Sequence, residues 1–321
     1  MQKEQAGCQA SLVHFNTLGK VIEEVMKGKK QINYVKSEYI GRTLVTLCGF
    51  LIVLTTLVII AFICGKGIQS FTQSGISFTE MLTSKNWSPN SDKPAFGAFI
   101  FIIGSTLVSL GAVLISAPIA IALAIFMNLI SPKFGNKVLK PVLELLVGIP
   151  SVVYGLLGVT ILVPLLRAWY GGVGFSLIAG IIVLSIMILP TIASIASDAI
   201  RFVPFEYQEA SYGLGSTKWQ AISRIIVPAA KNGILTGIVL GLARAFGEAL
   251  AVQMVIGNTV KLPTSVYSPT STLTGILTMD MSNTLDGTAW NNALWTLAMI
   301  LLLISFIFIL VIRAIGQRGE R

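Results

Sequence analysis

The chain has 321 residues, of which 54% are apolar and only 12% are charged. That charged share is about half of what soluble domains carry, which excludes an ordinary water-soluble fold. The formal net charge of +9 would suit nucleic acid or anionic lipid. The cations flank apolar stretches, however, a pattern typical of membrane topology, so no nucleic-acid partner is expected.

Residues 1–40 precede the first apolar stretch and carry many cations. We interpret them as a cytoplasmic N-terminal extension and not as a secretory signal, because no small-residue cleavage motif follows. Apolar residues three or four apart over 11–27 predict an amphipathic helix, for which the inner leaflet and a partner protein both remain open. Cys8, Cys48 and Cys64 are too few and too scattered for a disulfide framework or a metal site.

Six membrane spans are predicted from apolar stretches that reach the ~20 residues a crossing helix needs. They cover roughly 43–64, 97–130, 141–166, 174–197, 231–257 and 292–313. The second stretch is long for an upright crossing but holds no polar turn, so one long, tilted or kinked helix is favoured over two short spans. Residues 41–321 are therefore predicted to form an all-α, polytopic transmembrane domain.

The basic residues predict the orientation of these spans. With the N-terminus inside, seventeen Lys and Arg residues fall in cytoplasmic segments and five in outer ones. This asymmetry places both termini in the cytoplasm and residues 66–94 and 258–291 outside. Both outer segments are long and rich in Ser, Thr, Asn and Pro, and such loops either connect spans or contact a partner.

The cytoplasmic loop between the fourth and fifth spans, at about 205–227, is predicted to form two short helices with a break. Pro204 can open the first helix, Gly215 ends it, and Ser216 or Thr217 caps the second. The second helix is predicted to have one apolar face, formed by Trp219, Ile222 and Ile226.

This loop resembles the cytoplasmic signature of bacterial ABC importer permeases, in which Glu-Ala-Ala is followed by Gly and then by Ile-x-Leu-Pro. The matching residues are Glu209, Ala210, Ser211, Gly215, Ile225 and Pro228. Ser211 stands for the second Ala and Val227 for Leu, which are mild departures. The resemblance implies a type I ABC importer permease fold whose loop docks on a separate ATPase subunit. The alternative is a membrane-surface helix without a partner.

Arg244 and Glu248 lie four residues apart inside the predicted fifth span, so they would share one face of a continuous helix. A charge at mid-membrane costs ~2.5–3.5 kcal/mol even on lenient insertion scales, so it is rarely kept without a role. The two residues are candidates for a substrate pathway or for a structural ion pair between helices. A stripe of small residues beside them predicts close helix packing; its members are Gly233, Gly237, Gly241, Ala245 and Ala249.

Three stretches, 148–158, 188–198 and 241–258, resemble phosphate ABC transporter permeases, and the last resembles the PstC type. This resemblance runs from about residue 40 to the C-terminus. It implies a subunit of the bacterial plasma membrane that forms half of a phosphate pore, with Arg244 and Glu248 in the translocation path. The implied partners are a PstA-type permease, two ATPase subunits, an extracytoplasmic phosphate-binding protein, phosphate and membrane lipid.

Other functions remain open at this stage. A permease for another oxyanion, such as molybdate or sulfate, would differ only in span sequences. A secondary anion transporter or channel would leave the loop signature unexplained. A membrane enzyme is disfavoured because the chain has one His and no nucleophile–base pair. No P-loop sequence occurs, so neither ATP hydrolysis nor a cofactor is expected in this chain.

Overall fold

The computed structural model describes residues 39–318. The amphipathic helix predicted over 11–27 lies outside the described residues, and the division of the chain at residue 40 stays a prediction. In chain order the elements are α1 (Tyr39–Thr72), α2 (Phe78–Thr83), β1 (Trp87–Ser88), β2 (Ala95–Phe96), α3 (Phe99–Ile130), α4 (132–148), α5 (Ser151–Tyr170), α6 (Leu177–Arg201), α7 (Phe205–Gly213), α8 (Lys218–Ala229), α9 (Lys231–Gly247), α10 (Leu250–Ile256), α11 (Leu273–Asp280) and α12 (Ala289–Arg318).

The chain divides into two compact units at residues 62 and 63. In the first unit, the described residues are helical and their apolar side chains are exposed, as suits a lipid-facing surface. The second unit contains the hydrophobic clusters of the described chain.

Five described helices are long and apolar enough to cross a membrane: α1, α3, α5, α6 and α12. A sixth crossing results if α8 and α9, which meet at a bend of 66°, count as one broken span. The prediction of about six spans is therefore confirmed. The long second stretch is a single helix, α3, with Pro118 inside it and a π-helical last turn over Phe126–Ile130.

The predicted third span, 141–166, is wrong in its position. The helix α4 ends at Gly148, Ile149 is extended (φ −70°, ψ 127°), and α5 starts at Ser151. The physical reason is Pro150, whose ring disfavours a helical conformation at the residue before it. The crossing helix is α5, so the span lies further along the chain than predicted.

The predicted fifth span, 231–257, is not one continuous helix. The helix α9 ends at Gly247, Glu248 is extended (φ −77°, ψ 123°), and a second helix, α10, follows. Two side chains satisfy the groups at this break. The Thr274 hydroxyl donates to the carbonyl oxygen of Glu248 at 2.9 Å, and the Ala251 N–H donates to Oε1 of Glu248 at 3.0 Å. Such partners are what allow a helix to break inside a membrane.

The helices α6 and α9 pack closely through the predicted small-residue stripe. A Cβ added at Gly241 would lie 2.5 Å from Cγ1 of Ile192, and one added at Gly233 would collide with Ala199. Ile192 belongs to the main apolar cluster and is fully buried. The stripe therefore fixes how near α9 approaches α6, which positions Arg244.

The two predicted outer segments form a cap and not plain connectors. Its buried apolar cluster joins α2, α3, α11 and α12 through Met81, Phe101, Leu273 and Leu297. The Trp87 indole N–H donates to Asp280 at 3.4 Å, and burial raises the pKa of the Asp280 carboxyl. An exposed ion pair joins Nζ of Lys66 to Asp286 at 2.9 Å, and this hydrogen bond is the main cause that lowers the pKa of Asp286.

The predicted orientation can be tested at exposed serines. In a background without the native cysteines, Ser91→Cys and Ser265→Cys should react with a membrane-impermeant thiol reagent in intact cells, because both positions are exposed on the predicted outer side. Ser223→Cys, exposed in the loop predicted to be cytoplasmic, should react only after permeabilisation. Reaction of Ser223→Cys in intact cells would overturn the orientation.

Candidate translocation site and cytoplasmic loop

Arg244 lies in the last turn of α9 and is half-buried. Its Nη1 donates a hydrogen bond to Oγ1 of Thr191 on α6, at 3.1 Å. Within residues 39–318, no carboxylate oxygen lies within 4.0 Å of its guanidinium group, so the charge has no ion-pair partner in the described chain. The described chain thus satisfies the guanidinium only with a neutral hydroxyl group.

Glu248 does not share a helix face with Arg244, contrary to the sequence interpretation. It follows the last residue of α9 and caps α10, where Oε1 accepts the hydrogen bond from Ala251. A four-residue spacing brings side chains together only in an unbroken helix. The structural ion pair considered above is therefore absent between these two residues.

A third polar residue, Tyr154, lies at the break between α4 and α5. In a continuous helix the carbonyl oxygen of Leu146 would accept from residue 150, but Pro150 has no N–H. The Ile149 N–H donates to this oxygen at 3.4 Å, and the buried Tyr154 adds a closer donor, its hydroxyl at 2.8 Å. Sequence reasoning noted the segment around Tyr154 but missed this role, because it depends on where the helix breaks.

The loop predicted to be cytoplasmic, at about 205–227, has the predicted break. Here α7 ends at Gly213, and Gly215 has φ +80°, a left-handed conformation that favours glycine. Thr217 caps α8 through a reciprocal pair of hydrogen bonds with Gln220, so Thr217 is the capping residue of the two that were considered. No heavy atom lies within 4 Å of a Cβ added at Gly215, so the glycine is required by backbone conformation and not by space.

The six signature residues differ in exposure. Glu209, Ala210, Gly215 and Pro228 are exposed, Ile225 is half-buried and Ser211 is buried. Ser211 stands where the signature has an alanine. Its hydroxyl group has no hydrogen-bond partner in the described chain.

The predicted apolar face of the second short helix is partly wrong. Ile222 and Ile226 are buried, but Trp219 is 65% exposed and Ala221 completes the face instead. Leu214, beside the break, is 88% exposed. Large apolar side chains therefore project from this loop, which is unusual for a surface in contact only with water.

No group of three or more His, Cys, Asp or Glu side chains in the described part of the chain is arranged to hold a metal ion. The chemistry available at Arg244 is recognition of an anion by a guanidinium and neighbouring hydroxyl groups.

Residues 117–321 match the family described as binding-protein-dependent transport system inner membrane component, and the chain belongs to this family. It is 51% identical over 281 residues to the probable ABC transporter permease protein YqgH of Bacillus subtilis (strain 168), covering 87% of this chain and 91% of that protein. It is 33% identical to the phosphate transport system permease protein PstC of Mesorhizobium japonicum, covering 78% of this chain and 81% of that protein.

The fold also resembles a solved structure, that of a bacterial ABC transporter involved in the import of the acidic polysaccharide alginate. The TM-score is 0.58 at 19% identity, and the match covers 85% of this chain and 96% of that one. The predicted type I ABC importer permease fold and the resemblance to PstC-type permeases are therefore confirmed. The chain is a membrane-spanning transport component and not an enzyme.

The bond across the first helix break is testable by thermal denaturation. Tyr154→Phe removes the donor to Leu146 and should cost about 1 kcal/mol, the net value of one hydrogen bond. We expect the midpoint of the detergent-solubilised protein to fall by roughly 2–4 °C. Thr160→Val is the matched control, since that hydroxyl bonds only within its own helix. Equal midpoints for the two variants would refute the role of Tyr154.

Proposed function

We propose that this chain is the transmembrane permease subunit of an ATP-driven phosphate importer. It would form half of the pore with a second, PstA-type permease, and two ATPase subunits would dock on its cytoplasmic loop. An extracytoplasmic binding protein would deliver phosphate to the outer cap. The proposal is supported by relatives that are phosphate transport system permease proteins, at 33% and 34% identity over most of the chain.

The observation that carries the proposal is the guanidinium group of Arg244, which has no ion-pair partner among the described residues. A charge in a membrane helix is costly, and in proteins it is normally compensated by an opposite charge or used for transport. Arg244 has Thr191 as its hydrogen-bond partner, and no carboxylate of residues 39–318 lies in reach of it. A guanidinium with free donors in a low-dielectric path is suited to bind an oxyanion through two parallel hydrogen bonds.

Glu248 contributes selectivity in this proposal. Phosphate that retains a proton carries an O–H group, and a carboxylate can accept its hydrogen bond, whereas sulfate at neutral pH offers no such donor. The Ala251 N–H engages Oε1 of Glu248. Oε2 would accept from the substrate, which distinguishes phosphate from the molybdate and sulfate alternatives.

The cytoplasmic loop would transmit the motion of the ATPases. The loop residues that match the signature flank a bend fixed by Gly215, and Leu214 and Trp219 offer apolar surface to a partner. The helix α8 continues through the 66° bend into α9, the helix that ends three residues after Arg244. Closure of the ATPase pair would therefore push the coupling segment and move the helix that holds Arg244.

In this proposal the subunit lies in the bacterial plasma membrane with both termini in the cytoplasm. The charge asymmetry of the chain supports this orientation.

Phosphate uptake by conservative variants tests the pathway. Arg244→Lys keeps the charge but loses the planar fork of donors, so uptake by vesicles with the assembled transporter should fall at least about tenfold. Arg167→Lys, an exposed arginine at the end of α5, should transport normally. Glu248→Gln keeps an acceptor for the Ala251 N–H but replaces the second carboxylate oxygen with an NH2 donor, so a loss of uptake would report on the charge together with the proposed acceptor for the substrate.

Three outcomes would contradict the pathway. Normal uptake by Arg244→Lys, or by a protein with Arg244 and Glu248 exchanged, would leave both residues as packing elements. Competition of labelled phosphate by equimolar sulfate or molybdate would favour the alternative oxyanions. Uptake that continues without ATP would favour a secondary transporter.

Docking of the loop is tested by two matched leucines. Leu214→Asp should weaken retention of the ATPase subunits when the complex is purified, because a charge would replace a projecting apolar side chain. Leu285→Asp, at a similarly exposed leucine of the outer loop, should not. If both variants retain the ATPase subunits equally well, this surface has no role in docking.

A further inference from the structure

Thr191 lies in α6 directly after Pro190 and is half-buried beside α9. It does not match any part of the importer signature, and the only hydrogen bond of its side chain in the described chain is the one accepted from Nη1 of Arg244. The side chain therefore belongs to the same polar cluster as the proposed substrate residue, but on a different helix.

The hydroxyl of Thr191 is oriented unlike those of several other threonines in the apolar helices. Threonine hydroxyls in helices commonly donate to the carbonyl oxygen four residues earlier. Among the described residues, examples of such donors are Thr43, Thr46, Thr56, Thr160 and Thr236. Thr191 instead turns its oxygen to the guanidinium of Arg244.

This orientation leaves a donor for a ligand. A hydroxyl group has one O–H donor and two acceptor lone pairs. Oγ1 of Thr191 uses one lone pair for Arg244. Its O–H has no acceptor among the described residues, and it lies beside a guanidinium group that has further N–H donors. The two side chains thus present N–H and O–H donors next to each other.

We propose that Thr191 is a second substrate-contacting residue, whose O–H donates to one oxygen of the oxyanion while Arg244 binds another. Its oxygen also holds the guanidinium in place. A tetrahedral oxyanion such as phosphate has several acceptor oxygens and can accept from both groups at once. This inference rests on the proposed function, and it assigns α6 together with α9 to the substrate path.

The test measures labelled phosphate uptake by vesicles with the assembled transporter, and the number of phosphates moved per ATP hydrolysed. Thr191→Val, which is close in shape but has no hydroxyl, should lower both about tenfold, the effect of losing about 1.4 kcal/mol of interaction with a charged group. Thr191→Ser restores the hydroxyl and should stay within about twofold of the wild type. Thr236→Val, in α9, removes a hydroxyl that bonds only to its own helix and should have no effect.

A merely structural role would lower the amount of assembled transporter without changing the phosphate-to-ATP ratio. The inference is overturned if Thr191→Val behaves like Thr236→Val, or if Thr191→Ser is as impaired as Thr191→Val. Thr191→Ala is measured as well. If the valine variant assembles poorly, the alanine variant, which also lacks the hydroxyl, is compared with the serine variant instead.

The same vesicles separate this inference from the proposed function. If the wild type does not take up phosphate, or if Arg244→Lys is normal, the proposed function fails. If Arg244→Lys loses uptake while Thr191→Val keeps it, the phosphate path stands and only the assignment of Thr191 fails.

Discussion

The close approach of α9 to α6 is the contact on which the polar site depends. Glycines at four-residue intervals remove the side chains that would hold the two helices apart, and Ile192 of α6 fills the space above Gly241. Thr191 is the neighbour of Ile192, and Arg244 lies one turn beyond Gly241. The hydrogen bond between them therefore follows from the packing, and a bulkier residue in the stripe would separate donor from acceptor.

The helix breaks are the second constraint, because backbone groups freed inside a membrane need partners. At Pro150, which has no N–H, the hydroxyl of Tyr154 adds a close donor to the carbonyl oxygen of Leu146. At Glu248 the side chain caps the following helix, and the Thr274 hydroxyl binds the freed carbonyl oxygen. Both breaks are thus satisfied by side chains of the same chain, and the second includes Glu248, one of the residues proposed to contact the substrate.

The sequence predicted the features that local chemistry determines. Uncharged apolar runs located most spans, and Gly215 marked a bend in the predicted coupling loop that needs a left-handed residue. The break at Glu248 was missed because no proline precedes it, and its partners Ala251 and Thr274 are recognised only once α10 and α11 are in place. The ion pair expected from the spacing of Arg244 and Glu248 failed for the same reason, since that spacing has meaning only within an intact helix. The burial of Trp219 was predicted wrongly because helical spacing alone is compatible with two adjacent faces of α8. In the packed protein, Ala221 is the buried residue instead.

The 66° bend between α8 and α9 has a mechanical consequence. At a rise of about 1.5 Å per residue, α8 is roughly 18 Å long, and Arg244 lies roughly 20 Å along α9 from the bend. The two arms are nearly equal, so a rigid rotation of about 10° about Ala230 would move each end by roughly 3 Å. A displacement of the far end of α8 would then move the guanidinium group of Arg244 by about the same distance.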